Sequence, residues 1–274
     1  MSKLRILIIG IAATLGFGLT SKKELERLRK IADANLEADL NLISQFKTDV
    51  SGLLLQNLRK SPSQLNQDLI AWAVNDFKNQ GYFIEFGATD GLSLSNTYLL
   101  EKSFGWHGIL AEPGKTWQPE LVRNRDNSNI DFRCVWTETN QFLNFTESKD
   151  ASFSTLKMFS AKDMHSKLRQ KGSEYSVETV TLQDLMKFWN APFVIDYLSI
   201  DTEGSELDIL SAFDWDSHVF NFISCEHNYS GNRELIYELL TGNGYHRVLE
   251  KFSEFDDWYV RDYEKFELLL VNES

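Results

Sequence analysis

The chain has 274 residues, enough for one large domain and an appendage. Hydrophobic residues at 42% and charged residues at 25% make a globular composition, which excludes disorder over most of the length. Net charge is −12, but residues 1–60 hold ten Lys and Arg against six Asp and Glu, which leaves −16 for the rest and excludes a nucleic-acid backbone as the main partner.

Residues 1–21 form a hydrophobic segment. Lys3 and Arg5 precede an apolar run of 15 residues, Ile6 to about Thr20. As a helix it would be about 22 Å long, short against a bilayer core of about 30 Å. Three readings stand: membrane association as an anchor through residues 4–20, a signal-like core, or a peripheral or self-associating helix. Lys22, Lys23, Arg27, Arg29 and Lys30 follow, so the charge rule leans toward a cytoplasmic catalytic body. Over residues 22–60, Leu25, Leu28, Ala32, Leu36, Leu40, Ile43, Phe46, Val50 and Leu53 recur at three- and four-residue steps. That spacing predicts a long amphipathic helix with no proline to break it. It is either a stalk, docked or self-associating, or a helix packed on its own domain. The polar stretch 61–68 marks the start of the body, residues 61–274.

In the body, apolar runs predict strands at Tyr82–Phe86, Gly108–Glu112, Ile130–Val135, Phe193–Ile200, Phe220–Cys225, Tyr245–Leu249 and Phe266–Leu270. Helices are expected at Gln64–Asn79, Ser95–Phe104, Ser205–Ala212 and Arg233–Gly242. This alternation implies an α/β fold with parallel strands and helices on both faces. Residues 141–190 read as an insertion: a short strand near Phe142–Phe145, a polar helix near Ala161–Arg169, an extended YSVETVTL, and a helix at Leu182–Trp189. Cys134 and Cys225 lie in apolar runs without Cys-x-x-Cys spacing, so they are expected as buried thiols.

Ligands in an open α/β sheet bind beyond the carboxyl ends of the strands. Glu85, Gly87 and Asp90 sit at such an end, on a turn that lacks the phosphate-binding glycine spacing. Their carboxylates would repel a phosphate. Glu112 ends the next strand, where a carboxylate can accept both hydroxyls of a ribose. A ligand with a ribose, a cationic end and no phosphates fits this pair of strand ends; S-adenosylmethionine does, and NAD does not.

The stretches FIEFGATDG, SNTYLLE, GWHGILAEP and DYLSIDTEGSELDIL, in this order between about Ser63 and Tyr259, resemble FkbM-type S-adenosylmethionine-dependent methyltransferases. Thr89 departs from the pattern, where the family often has Asn. The resemblance implies a Rossmann-like class I methyltransferase sheet of seven strands, mostly parallel with the last antiparallel. It implies cofactor contacts at Glu85, Gly87, Ala88, Asp90 and Gly91, a ribose contact at Glu112 and Pro113, an adenine wall near Cys134 and Val135, and Asp201 beside the transferable methyl.

Methyl transfer to a hydroxyl needs an aligned oxygen and a proton acceptor. Glu226, His227 and Asn228 follow the fifth strand, adjacent to Asp201. His227 is the first candidate for general base, since an unperturbed His titrates near neutrality; Asp201 and Glu226 complete the catalytic set. No resident metal is expected. The rival reading is one Mg²⁺ held by Asp201, Glu226 and Asn228. Asp201, Glu203 and Glu206 also read as first-turn acids favoured by a helix dipole. The acceptor pocket is placed in the insertion, around Ser152, Phe153 and Ser154. The expected activity is O-methylation of a sugar, glycan-like or other small hydroxylated acceptor. The alternative is a non-catalytic cofactor-binding or degenerate domain tethered by its front helix.

Overall fold

The computed structural model describes residues 34–148, 154–159 and 172–271. The hydrophobic segment 1–21, residues 22–33 of the predicted long helix and the polar helix near Ala161–Arg169 lie outside these residues. The strands in chain order are β1 (Tyr82–Phe86), β2 (His107–Ala111), β3 (Asn129–Asp131), β4 (Cys134–Val135), β5 (Phe142–Glu147), β6 (Thr155–Leu156), β7 (Ser173–Val180), β8 (Val194–Ile200), β9 (Val219–Glu226), β10 (His246–Val248) and β11 (Asp256–Val260).

Seven of them form one sheet in the order β10-β11-β9-β8-β1-β2-β3. β11 runs antiparallel to both of its neighbours, and the other pairs are parallel. This is the seven-stranded, mostly parallel sheet with its last strand antiparallel that the resemblance implies. Along β1, Tyr82, Ile84 and Phe86 enter one core layer while Phe83 enters the other, so both faces are covered. Register brings the strand ends level: Phe86 lies opposite Ala111 and Ile200, Ile200 opposite Cys225, and Glu226 opposite Asp256. The residues that follow β1, β2 and β8 therefore emerge side by side at one edge, next to Glu226 at the end of β9.

A second sheet, β4-β7-β5-β6, stands over that edge. Cys134, Phe145, Leu156, Phe159 and Val177 pack together within it.

Three expectations are corrected. The run Ile130–Val135 is two strands in different sheets. Asp131 accepts the Arg133 backbone N–H at 3.0 Å and two guanidinium N–H groups at 2.9 and 2.6 Å, and this turn redirects the chain. The run Phe266–Leu270 is not a strand. Tyr263–Glu267 is a helix, capped by Asp262, whose side chain accepts the Lys265 N–H. The antiparallel strand is β11 instead.

Third, the amphipathic stretch is not one continuous helix in its described part. Residues 34–43 and Thr48–Asn57 are helical, and the chain turns between them. The C-terminal segment occupies that turn: Phe46 bridges Leu270, Lys47 N–H donates to Leu269 O at 2.9 Å, and Val271 N–H donates to Gln45 O at 2.9 Å. Leu42, Ile43, Phe46, Val50 and Leu54 are buried in the same core as Phe83 and Trp258, each worth about 1.5–3 kcal/mol. Leu36 and Leu40 remain exposed. Among the described residues no helix is long and apolar enough to cross a membrane.

Candidate active site

A cleft of about 600 Å³, counted to its open mouth, lies at the carboxyl edge of the large sheet. One wall comes from β1, β2 and β8 through Gly87, Glu112 and Asp201, and the facing wall from the small sheet through Val135, Phe145 and Leu156. Of the residues expected at a site, Gly87, Glu112, Pro113, Val135 and Asp201 line the cleft, as do Cys134 and Ser154. Ser152 and Phe153 lie outside the described residues.

Glu112 is held from two sides. Its Oε2 accepts the Thr89 N–H at 2.9 Å and its Oε1 accepts the Gly114 N–H at 2.6 Å. Burial pushes its pKa up to about 7 against the pull of these two bonds, with the charges of Glu147 and Asp201 adding to the rise. Thr89 reaches Glu112 from a left-handed conformation, φ +46°. Asn tolerates that conformation better than a β-branched residue does.

Glu85 points elsewhere. It accepts from the Asn96 N–H at 2.8 Å and from the Ser95 and Thr97 hydroxyls, with the Arg125 guanidinium 3.6 Å away. Arg125 is itself buried, paired with Glu101 at 2.9 Å. Glu85 therefore organises the turn into the next helix and does not line the cleft. Asp90 does similar work: it accepts the Leu92 and Ser93 N–H groups at 2.9 and 2.6 Å and the Ser93 hydroxyl at 2.7 Å. Ala88 is buried in the core.

The glycines also answer to the protein. A Cβ on Gly87, at φ +72°, would stand 1.9 Å from the Asp201 carbonyl oxygen, so the close approach is between strand ends. One on Gly91 would meet Leu121 and Arg125 at 2.6 Å.

Where β8 and β9 end, Asp201, Glu203 and Glu226 place carboxylate oxygens within 4.8 Å of one another. Glu226 lies close enough to Asp201 to hold the Asp201 pKa below what burial alone would give. Burial raises both groups, Asp201 to about 6 and Glu226 well above the carboxylate range, where neighbouring acids raise it further. The third member of this trio is Glu203, in place of the Asn228 of the metal reading. Glu206 folds back to accept the Thr202 and Gly204 N–H groups at 3.0 Å, so it closes its own loop.

His227 is turned away from the cleft. Its Nε2 lies 3.1 Å from the Asp256 carbonyl oxygen, and its Nδ1 accepts the Tyr229 N–H at 3.0 Å. Both ring nitrogens are thus engaged by backbone, and burial lowers its pKa. The ring supports the Asn228–Tyr229 turn, where two successive residues have φ of +44° and +54°.

Sequence reasoning missed Phe145, Leu156, Thr202 and Ser205, which line the cleft, and Gly114, which orients Glu112. Gly114 follows Glu-Pro directly, a signal for a tight turn at a strand end. Phe145 falls in an expected strand, but its place on the cleft, like that of Leu156, depends on long-range strand pairing that no local pattern announces.

The profile of the methyltransferase FkbM domain matches residues 85–260. The chain belongs to the FkbM methyltransferase family. It is therefore a methyltransferase, and the family implies S-adenosylmethionine as donor. No curated protein matches the chain significantly. Among solved structures it is similar to a precorrin-6y C5,15-methyltransferase from Geobacter metallireducens GS-15, at 8% identity over 70% of this chain and 85% of that one, with a TM-score of 0.38. It is also similar to a human methyltransferase 10 domain containing protein, at 13% identity over 77% and 95% of the two chains, with a TM-score of 0.36. Likeness at this level says nothing about the acceptor.

The residues present fit the implied FkbM donor. The lining carries the carboxyls of Glu112, Asp201 and Glu203 and, among the described residues, no Lys or Arg, which suits a cationic ligand without phosphates. Val135, Phe145 and Leu156 supply an apolar wall of the kind an aromatic base packs against.

Proposed function

We propose that the chain methylates a hydroxyl oxygen of a small neutral acceptor, sugar or glycan-like in character, with Asp201 accepting the hydroxyl proton. The observation that carries this reading is the close approach of Asp201 and Glu226, whose carboxylate oxygens lie within 4.8 Å of one another, with Asp201 on the cleft wall. S-adenosylmethionine supplies, when bound, a methyl group already activated on a sulfonium. Glu112 and Pro113 hold the ribose end, and Val135 with Cys134 flanks the adenine. Gly87 and Asp201 bracket the end that bears the methyl.

Asp201 is ionised above about pH 6, within the range where a general base works at neutral pH. Glu226 keeps its proton and donates it to one Asp201 oxygen, leaving the other for the acceptor. The acidic lining disfavours phosphorylated acceptors. Residues 4–20 and the basic cluster after them support tethering of this domain to a membrane, which fractionation of the full chain against a chain lacking residues 1–21 tests.

The test of the reaction is incubation of the full chain with methyl-labelled donor and a panel of methyl glycosides, sugar phosphates, amines and hydroxylated lipids. Label in an O-methyl ether of a neutral acceptor, reduced at least about 100-fold by Asp201→Asn with donor affinity retained, is expected for loss of a general base. Methylation of nitrogen alone, or preference for sugar phosphates, overturns the acceptor class. An Asp201→Asn enzyme as fast as wild type overturns the base.

A further inference from the structure

We infer that Tyr175 and Glu147, both on the small sheet, are positioning residues for the Glu112 carboxyl at the donor site. The inference rests on the reading of Glu112 as the ribose acceptor. Glu112 depends on the Gly114 N–H, 2.6 Å from its Oε1. A Cβ on Gly114 would stand 2.6 Å from the same oxygen, so the loop backbone lies directly against the carboxyl. Any shift of that loop moves the group that aims Glu112.

The loop is gripped just beyond Gly114 by two residues from another sheet. The Tyr175 hydroxyl accepts the Lys115 N–H at 2.9 Å, and the Lys115 ammonium stands 4.3 Å from the centre of the Tyr175 ring. The Glu147 Oε1 accepts the Thr116 N–H at 2.9 Å. Both residues lie on paired strands, β5 and β7, where Phe145 pairs with Tyr175 and the two rings are 5.7 Å apart. Phe145 lines the cleft. The small sheet thus does two things at once. One strand pair walls the cleft and fixes the amide that orients the ribose carboxylate. Placement to within about half an ångström decides whether such a site works.

The test is calorimetric titration of the full chain with S-adenosylhomocysteine and with its 2′,3′-dideoxy analogue, which keeps the base and amino-acid ends but lacks the hydroxyls that Glu112 accepts. Tyr175→Phe keeps the ring and removes the acceptor; Glu147→Ala removes the other grip. Each is expected to weaken S-adenosylhomocysteine about five- to tenfold, the effect of one hydrogen bond. The dideoxy analogue should bind either variant as it binds wild type. Glu112→Gln is the reference and should show the same selective loss, larger in size. Equal weakening of both ligands in Tyr175→Phe and Glu147→Ala would mean a merely structural role and overturns the inference. Unchanged S-adenosylhomocysteine affinity in those two, with Glu112→Gln weakened, overturns it while leaving the Glu112 reading intact. Unchanged affinity in Glu112→Gln overturns both.

Discussion

Glu112 should make the protein less stable as pH rises, and Glu112→Gln should remove that dependence. Burial pushes its pKa up to about 7 in the folded chain, against an ordinary glutamate value of about 4.5. A raised carboxyl pKa means that the folded state holds the proton more tightly. Its favourable contribution is whole below about pH 4.5 and is lost as pH climbs through about 7. A difference of this size, taken between pH 5 and pH 8, corresponds to about 2–3 kcal/mol of stability. The amide of Gln does not titrate. It also turns an NH₂ toward one of the two backbone N–H donors, which costs about 1–3 kcal/mol at every pH. The clean observable is therefore the pH dependence of the gap between the two proteins. Urea unfolding at pH 5 and pH 8, followed by far-UV circular dichroism, gives both free energies. The variant should gain about 2–3 kcal/mol on wild type between the two pH values. Parallel curves, or a wild type that gains on the variant, would refute the burial argument.

Thr89→Asn should raise stability by about 1 kcal/mol, because it relieves a β-branched residue held at φ +46° while keeping the N–H to Glu112; thermal melts check this. Gly87→Ala should fail to accumulate as folded protein or lose several kcal/mol, since its Cβ would stand 1.9 Å from the Asp201 carbonyl oxygen, and soluble yield with urea midpoint reads the loss. Leu54→Ala should cost about 2–5 kcal/mol in the same urea assay. A cost near zero would mean that the Thr48–Asn57 helix contributes nothing to the body's core. Arg125→Met should be strongly destabilising, by about 3–5 kcal/mol, because Glu85 would remain buried without its cation and Glu101 would keep only Lys102, 3.2 Å away.

The sheet was readable where one residue type dominated a run. FVIDYLSI is nearly all apolar because β8 is covered on both faces, and it was placed within one residue of its observed start. β11 was unreadable for the opposite reason. It opens with Asp256 and Asp257, which look like a loop, yet both are buried because Gln67 holds the first at 2.8 Å and Arg233 holds the second at 2.9 and 2.8 Å. Those partners are 24 or more residues away in sequence, so no local pattern announces them. At the site, Glu112 and Asp201 were legible as acids ending apolar strands. Glu85 ends one too, but its direction is set by the pleat. It projects on the Phe83 face, where Arg125 waits, and alternation alone does not tell which face borders a ligand. His227 illustrates the limit of residue type: imidazole chemistry suggested a base, whereas two backbone groups had already claimed both nitrogens.

β10 touches the large sheet only through β11, which is inserted between it and β9. During synthesis the ribosome delivers β10 first, so those residues must wait without a strand partner until the following strand emerges and inserts beside β9. Closure of this sheet is thus a late, non-local event, and a nascent chain halted near residue 250 would expose the unsatisfied flank of β9 to chaperones or to other nascent copies.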